Sequence, residues 1–299
     1  MGSFRAMGTE VTVLAPHESE HDEAALTERV AAVFEDAERR FSRFRVDSEL
    51  SALNRAEGEV RVSREMLDTL LAARAFVART RGLFDPAVGA SLIAAGYDRS
   101  FAPGALDRDE GPAWPARARF DEVQIDEADG VVLRAAHVKI DLGGFVKGLT
   151  ADRAARLVEG VAAIDAGGDA VLRGDGPDGD GWLVDVEDPA DPARVLLTLR
   201  LRDRAVATSA PNRRRWHLGA RAMHHLIDPR TGQPASTDLA QATVVASCAA
   251  EAEALAKAVF VLGASEGARF LAAQPACSGV LVERTGAVHR VGEMEVCDA

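Results

Sequence analysis

From Val161 onward the sequence is a series of short strand-forming runs separated by turn residues, and this pattern limits the choice of folds. The runs are AAIDAGGDAVLRG, GWLVDVEDP, VLLTLRL and AVATSA, and a further run at Ala242–Ser247 leads into a helix. Helical spacing of apolar residues predicts two earlier helices, over residues 21–44 and after a cap at Ser63. Strands and helices without steady alternation favour the α+β class, with a mixed or antiparallel sheet and packed helices.

The remaining elements complete this prediction of a single integrated domain over residues 1–299. GTEVTVLAP alternates as a strand does, and VQIDEADGVVL is typical of a hairpin. VKIDLGGFVKGLTADRAARLVEG predicts a strand that leads into a helix through two glycines, and strands near Gly279–Glu283 and Ala287–Val291 close the chain. The one linker-like run, Gly174–Gly181, is short enough to be a hairpin tip.

Composition excludes several classes of partner. The 299 residues carry a formal net charge of −12, which argues against nucleic acid or an anionic membrane as the main partner. No stretch is long and apolar enough to be a transmembrane segment, and the N-terminal residues do not have the pattern of a signal peptide. The three cysteines show no paired spacing, which fits a reducing compartment, so we expect a cytoplasmic protein.

The segment IDLGGFVKGL, Ile140–Leu149, is a candidate phosphate-binding turn. A strand predicted to end at Asp141 is followed by two glycines and by a helix start with unpaired N–H groups. Lys147 falls in the first helical turn, where the helix dipole disfavours a cation unless an anionic group offsets it. A tight turn with an exposed lysine explains the same residues equally well.

A second candidate is RAMHHLIDPRTGQPA, which holds His224, His225 and Asp228. Asp-Pro followed by Thr-Gly is typical of a tight turn, and this alone accounts for Asp228. A histidine near an aspartate is also suited to act as a general base. Thr208 at the end of a predicted strand offers a hydroxyl that either binds a ligand or caps a turn.

Taken in order, these pieces resemble the ApbE family of FAD:protein FMN transferases. The matching blocks are MGT at Met7–Thr9, FSRFRVDSELSALN, GLFDPAVG, DLGGFVKG, GGD at Gly167–Asp169, VATS, HHLIDPRTG and AEALAKAVFVLG. Each block is weak alone, but the ordered set covers the chain from Met7 to Gly263.

The resemblance implies an enzyme that cleaves FAD between its phosphates, passes FMN to a Thr or Ser hydroxyl of an acceptor protein, and releases AMP. Such a phosphoryl transfer depends on positioning and on cations more than on covalent chemistry. Magnesium is the cation that the resemblance implies. The partners expected are therefore FAD and an acceptor protein that the sequence does not identify.

The resemblance also implies roles for individual residues. His225 is the candidate base, Asp228 its neighbour, and Lys147 the group near the pyrophosphate. The residues implied to contact the nucleotide are Met7, Phe44, Leu83, Phe84, Asp85, Asp141, Lys147, Thr208, His225 and Ile227. The backbone carbonyl of Gly144 and the side chain of Glu253 are the implied metal ligands.

The sequence departs from the family pattern at that metal. The family helix offers an Asp and, four residues later, a Thr or Asp, whereas this chain has Glu253 and Lys257. An ammonium has donors and no acceptor, so Lys257 cannot coordinate a metal in that form.

Three interpretations of this pair follow. The Lys257 ammonium replaces the metal; or the site is degenerate and the protein only binds FAD; or the pair is an ordinary surface i,i+4 ion pair worth a few tenths of a kcal/mol. For the function of the protein, FAD hydrolysis to FMN and AMP, with water as the acceptor, is an alternative to FMN transfer and to FAD binding alone.

Overall fold

A computed structural model of the chain describes residues 1–16, 19–102, 104 and 106–297. Within these residues the helices are α1 Glu20–Phe41, α2 Glu49–Arg55, α3 Arg64–Arg79, α4 Gly89–Ala94, α5 Val146–Ala155, α6 Ala249–Leu262 and α7 Ala264–Ala272. The first nine strands are β1 Gly2–Ala6, β2 Thr9–Leu14, β3 Glu59–Arg61, β4 Gln124–Asp126, β5 Val131–Leu133, β6 Ala162–Ala166, β7 Ala170–Arg173, β8 Trp182–Glu187 and β9 Val195–Leu201. The next nine are β10 Arg204–Ser209, β11 Arg215–Leu218, β12 Arg221–His224, β13 Ile227–Asp228, β14 Gln233–Pro234, β15 Leu239–Ala246, β16 Ser278–Glu283, β17 Val288–Val291 and β18 Glu295–Cys297.

The chain divides into two compact units, each built from separated stretches of sequence. Unit 1 comprises Met1–Asp36, Lys147–Ala210 and Thr237–Ala299, and unit 2 comprises Ala37–Val146 and Pro211–Ser236. Helices and antiparallel sheets together confirm the α+β class. The single integrated domain over residues 1–299 stays a prediction.

Unit 1 is organised around an eight-stranded sheet in the order β1-β2-β6-β7-β10-β15-β16-β17, in which every neighbouring pair is antiparallel. Successive residues of β6 point to opposite faces, as the period of a strand requires. Ile164 lies in a core shared with α1 and α5, whereas Ala163 lies in a core shared with the second sheet of this unit, β18-β9-β8. The sheet is therefore covered by apolar residues on both faces.

Helix α6 is buried along almost its whole length, because its sequence is apolar on all sides. All but two of its 14 residues are buried, and it packs against β10 and β15. The two acidic side chains of this helix, Glu251 and Glu253, are thereby withdrawn from solvent. Glu253 is only 1% exposed, so the surface ion-pair interpretation of Glu253 and Lys257 is wrong.

Helix α5 approaches the start of α6 very closely, and Gly148 makes this possible. A Cβ atom at Gly148 would lie 2.5 Å from the backbone carbonyl of Ala249. The Asp152 carboxylate accepts hydrogen bonds from the backbone N–H groups of Ala249, at 2.8 Å, and Ala250, at 3.0 Å. This carboxylate satisfies N–H groups that the first turn of α6 leaves unpaired.

Unit 2 contains three smaller sheets, β3-β5-β4, β11-β12 and β13-β14, together with α2, α3 and α4. Ser63 caps α3 by accepting a hydrogen bond from the backbone N–H of Met66, as the sequence predicted. One core surrounds Trp216 on β11, and a second contains Phe76, Phe84 and Phe145 in edge-to-face contacts. The predicted hairpin over VQIDEADGVVL is confirmed as β4 and β5.

Two of the predicted elements are wrong. In the described residues no strand ends at Asp141; the strand before it, β5, ends at Leu133, and Lys139 forms an isolated bridge with Val88. The alternation there is real, but Ile140 pairs both of its backbone groups with the side chain of Asn54, at 2.7 and 2.8 Å. The Gly174–Gly181 run is not a hairpin tip, because it joins β7 of the large sheet to β8 of the small one.

The predicted strands after Val161 are confirmed as β6 to β10 and β15 to β17. The elements that were not foreseen include β1, β3, β11, β12, β18, α2, α4 and α7. The loop before β4 has little regular structure in its described part, as expected. Across the residues that are described, no helix is long and apolar enough to cross a membrane.

Candidate functional site

Four charged side chains meet inside unit 1, and we call them the ion cluster: Lys147, Asp169, Glu253 and Lys257. The Lys147 ammonium lies 2.5 Å from Asp169 Oδ2 and 2.5 Å from Glu253 Oε1. The Lys257 ammonium lies 3.2 Å from the same Glu253 oxygen. The cluster therefore joins two cations and two anions, so that its formal charge is zero.

The elements of unit 1 bring these residues together from three motifs. Lys147 is the second residue of α5, Asp169 precedes β7, and Glu253 and Lys257 lie one turn apart on α6. The close approach at Gly148 carries Lys147 to Glu253 and lets the Gly148 N–H donate to Glu253 Oε2 at 3.1 Å. The sequence motifs DLGGFVKG, GGD and AEALAKA thus converge in space.

The side chains of the ion cluster are largely buried. The exposed fraction of the side chain is 2% for Glu253 and 6% for Asp169, against 20% for Lys257. Asp169 Oδ1 accepts a hydrogen bond from the backbone N–H of Thr208 at 3.3 Å. The Thr208 hydroxyl pairs with that of Thr243 on the neighbouring strand, at 2.9 Å.

Burial and pairing act in opposite directions on these groups. Burial disfavours the charged form of Lys147, but the neighbouring carboxylates of Asp169 and Glu253 outweigh this effect and raise the pKa of Lys147. Burial likewise disfavours the Glu253 carboxylate, but Lys147 and Lys257 outweigh it and lower the pKa of Glu253 to about 2. Burial dominates at the other two members, raising the pKa of Asp169 and lowering the pKa of Lys257.

The anionic offset expected for Lys147 is present, and it comes from the protein. The sequence placed this lysine against the helix dipole and required a negative group nearby. Two carboxylates fulfil that requirement. Asp169 was recognised only as part of the GGD motif, and no local signal in the sequence joins it to Lys147.

The ion cluster does not fit magnesium, which prefers several oxygen ligands in near-octahedral geometry. Both oxygens of Glu253 and both oxygens of Asp169 already accept hydrogen bonds from N–H groups. Within the described ranges, no group of three or more His, Cys, Asp or Glu residues is placed to hold a metal ion. Gly144, the other implied ligand, belongs to unit 2 and offers only a backbone carbonyl.

Unit 2 carries most of the residues implied to contact the nucleotide. Phe44 is 37% exposed, and its ring lies 5.3 Å from that of Tyr97. The Arg43 guanidinium lies 4.1 Å above the Phe44 ring centroid and 4.8 Å from that of Tyr97, and its Nε donates to Asp141. Arg43 therefore connects two predicted contact residues, Phe44 and Asp141, although sequence reasoning did not select it.

The GLFDPAVG segment is held by contacts with its neighbours in unit 2. Phe84 is 4% exposed within the aromatic core, next to the half-buried Leu83. Asp85 accepts hydrogen bonds from the backbone N–H groups of Ala87, at 2.8 Å, and Phe120, at 3.2 Å. Burial raises the pKa of Asp85 and outweighs the lowering effect of these backbone N–H groups and of the Arg119 charge. These contacts give Phe84 and Asp85 structural roles whatever else they contact.

The two adjacent histidines, His224 and His225, differ in their surroundings. His224 accepts from the Leu226 N–H at Nδ1 and faces the Ala235 carbonyl at Nε2, at 3.3 and 3.2 Å. Both of its ring nitrogens are therefore engaged in the local turn, whereas His225 is half-buried. Ile227 is 7% exposed and lies in the core around Trp216.

Asp228 is part of the turn between β13 and β14. It forms a two-point ion pair with Arg230, at 3.0 and 2.9 Å, and its carbonyl accepts from Gly232 N–H at 2.8 Å. The turn predicted from DPRTG is confirmed. Met7, the remaining predicted contact, has a φ of +50° in the turn between β1 and β2 of unit 1.

Comparison with known proteins agrees with this architecture. The sequence profile of the ApbE family matches residues 7–281. The FAD:protein FMN transferase of Treponema pallidum is 30% identical over 283 residues, covering 86% of this chain and 77% of the relative. That of Salmonella typhimurium is 30% identical over 238 residues, covering 74% and 67%.

The crystal structure of the ApbE protein of Thermotoga maritima superposes with a TM-score of 0.84 at 28% identity, covering 97% of this chain and 96% of that one. By fold, then, the protein is of the class to which these flavin-transferase relatives belong. The chain belongs to the ApbE family.

Proposed function

We propose that this protein is an FAD:protein FMN transferase, a flavoprotein enzyme that moves FMN from FAD to a Thr or Ser hydroxyl of an acceptor protein and releases AMP. The named relatives and the family match support this activity. The convergence of Lys147, Asp169 and Glu253 from three separate motifs is the structural observation that carries it.

The proposed reaction is a phosphoryl transfer. The oxygen of the acceptor hydroxyl forms a bond to the phosphorus of the FMN moiety, and the bond from that phosphorus to the bridging oxygen breaks. AMP leaves with the electron pair, and the hydroxyl proton passes to a base. Positioning and positive charge supply most of the acceleration in such reactions.

His225 is the proposed base. The resemblance to the ApbE family implies this role, and the neighbouring His224 has both ring nitrogens engaged in its own turn. Asp228 belongs to the proposed site as its neighbour, although its carboxylate is held by Arg230.

The proposed nucleotide contacts are those that the resemblance implies: Met7, Phe44, Leu83, Phe84, Asp85, Asp141, Lys147, Thr208, His225 and Ile227. Magnesium, when bound in proteins of this kind, supplies charge stabilisation. No part of the proposed reaction uses it, because the oxygens of Glu253 and Asp169 are already engaged.

We also propose a cytoplasmic location. Within the described part of the chain, Cys248, Cys277 and Cys297 form no disulfide, as expected for a protein kept in a reducing compartment.

The test is to incubate the purified protein with FAD, with and without an extract of cells that lack it. Nucleotides are separated by chromatography, and covalent flavin is read by fluorescence after denaturing electrophoresis. AMP release together with fluorescent acceptor bands supports transfer. AMP with free FMN in the absence of extract indicates the hydrolase, and no AMP under either condition indicates an FAD-binding protein; either result overturns the proposal.

The role of His225 has its own test. His225→Ala is expected to keep FAD binding and to lose transfer by about 10²–10⁴-fold, the usual contribution of a positioned base. His224→Ala is the matched neighbour, expected to affect stability rather than the chemical step. Unchanged turnover in His225→Ala would remove this residue from the mechanism.

A further inference from the structure

The two ammonium groups of the ion cluster are not equivalent. An ammonium has three N–H donors. Lys147 uses two of them on Asp169 and Glu253, whereas Lys257 donates to Glu253 Oε1 at 3.2 Å. Lys257 is also the more exposed of the two, at 20% against 14%. Lys257 is thus the cation of the cluster that is best placed to reach a ligand.

The charge balance depends on Lys257. With Lys147 alone, the carboxylates of Asp169 and Glu253 would leave the buried cluster with a net charge of −1. Such a cluster repels an anionic ligand and is costly to bury. With Lys257 the formal charge is zero, and its remaining N–H donors offer positive charge to phosphate oxygens.

The same arrangement works against a divalent cation. A metal in the cluster would have to displace N–H donors from carboxylate oxygens that are almost fully buried. It would also lie beside two ammonium groups, and like charges at short range repel strongly in a medium of low dielectric constant. Both effects favour the protein's own cation over a bound metal.

We infer that the Lys257 ammonium, held by Glu253, takes the place of a divalent cation in this chain and binds an anionic oxygen of the ligand without metal. The inference rests on the proposed function for the identity of the ligand, a nucleotide with a pyrophosphate. Whether the ion cluster binds a metal is independent of whether the protein transfers FMN.

The first experiment measures metal binding directly, without FAD and without turnover. Purified protein is titrated with Mn²⁺, and free Mn²⁺ is followed by its electron paramagnetic resonance signal. We expect the wild-type protein to bind no stoichiometric Mn²⁺ and Lys257→Asp, which puts an oxygen ligand one turn from Glu253, to bind one equivalent. Stoichiometric binding by the wild-type protein that Glu253→Gln abolishes would overturn the inference.

The second experiment measures FAD affinity by fluorescence titration in excess chelator. We expect the wild-type affinity to be the same with and without chelator, and Lys257→Met to bind FAD at least tenfold more weakly in both. Arg64→Met is the control, because it removes the cation of another i,i+4 ion pair. The Arg64 side chain is 76% exposed. A wild-type affinity that falls tenfold in chelator, or a Lys257→Met affinity equal to that of the control, would contradict the inference.

These readouts separate the inference from the proposed function. Lack of AMP release would overturn the proposed transferase function. The Mn²⁺ titration and the FAD affinity would still decide the role of Lys257. Thermal unfolding of each variant shows whether it is folded. If Lys257→Met does not fold, Lys257→Gln provides the same comparison with a polar, uncharged side chain.

Discussion

Units 1 and 2 treat their buried polar groups differently. In the ion cluster of unit 1 the buried charges pair with one another: Lys147 and Lys257 neutralise Asp169 and Glu253. Among the described residues, buried side-chain nitrogens without a hydrogen-bond partner, such as Arg43 Nη2 and Trp114 Nε1, occur in unit 2 and not in unit 1.

The difference shows how each unit meets the cost of burying charge. A buried ion is tolerated when it is paired and hydrogen-bonded. At the ion cluster, unit 1 uses direct ion pairs between buried side chains. Unit 2 pairs Arg43 with Asp141, places the Arg43 guanidinium against two aromatic rings, and supports Asp85 with backbone N–H groups. Unit 1 is therefore expected to be sensitive to loss of charge, and unit 2 to loss of orientation.

Glu253→Ala provides the largest expected effect. It leaves two ammoniums with one carboxylate in a buried cluster, and breaking a buried pair costs about 3–5 kcal/mol. Urea denaturation measures the change in the free energy of unfolding. Asp68→Ala removes the acid of the exposed i,i+4 pair with Arg64 and is expected to cost less than about 1 kcal/mol. Equal losses in the two variants would erase the distinction between the ion cluster and a surface pair.

Gly148→Ala tests the packing that assembles the ion cluster. The added Cβ would lie 2.5 Å from the Ala249 backbone, which cannot rotate away as a side chain could. Overpacking of this kind costs about 1–3 kcal/mol, measured by the same denaturation. Gly111→Ala is the control, because a Cβ there meets no atom within 4 Å. If both variants are as stable as the wild-type protein, close packing of α5 on α6 is not what holds Lys147 near Glu253.

The comparison of the units also explains what the sequence could predict. Strands β6 to β10 were foreseen because each alternates locally and ends at turn residues. The strand before Asp141 was predicted wrongly because an apolar alternation reports burial, and it does not say whether the backbone pairs with a strand or with the Asn54 side chain.

The ion cluster was predictable only in part. The pairing of Glu253 with Lys257 follows from their spacing on one helix. Its burial follows from the apolar sequence around it, once β10 and β15 are known to cover that helix. The contacts of Lys147 with Asp169 and Glu253 join residues 22 and 106 positions apart. No local pattern encodes contacts of that range, so the resemblance to a known family was the only signal available.

Arg43→Met tests orientation in unit 2. The variant loses the ion pair with Asp141. It also loses the cation–π contact by which the Arg43 guanidinium holds the Phe44 ring in place. We expect FAD affinity to fall about tenfold, or about 1.4 kcal/mol, with little change in the rate at saturating FAD. Arg45→Met, which removes a more exposed ion pair with Asp47 two residues away, is the control. A fall in the rate with unchanged affinity would contradict a positioning role for Arg43.

Asp85→Asn gives the smallest expected effect and shows itself in the pH dependence of stability. Burial raises the pKa of Asp85 above its unfolded value, so the folded protein holds the proton more tightly than the unfolded chain. Stability from this group is therefore present at low pH and is lost as the pH rises from about 4 through the folded pKa. Asn cannot titrate, so the stability of the variant relative to the wild-type protein should rise over that range. The measurement is urea denaturation of both proteins between pH 3 and 7, and a relative stability that falls with pH would show that the backbone N–H groups of Ala87 and Phe120 outweigh burial at this carboxylate.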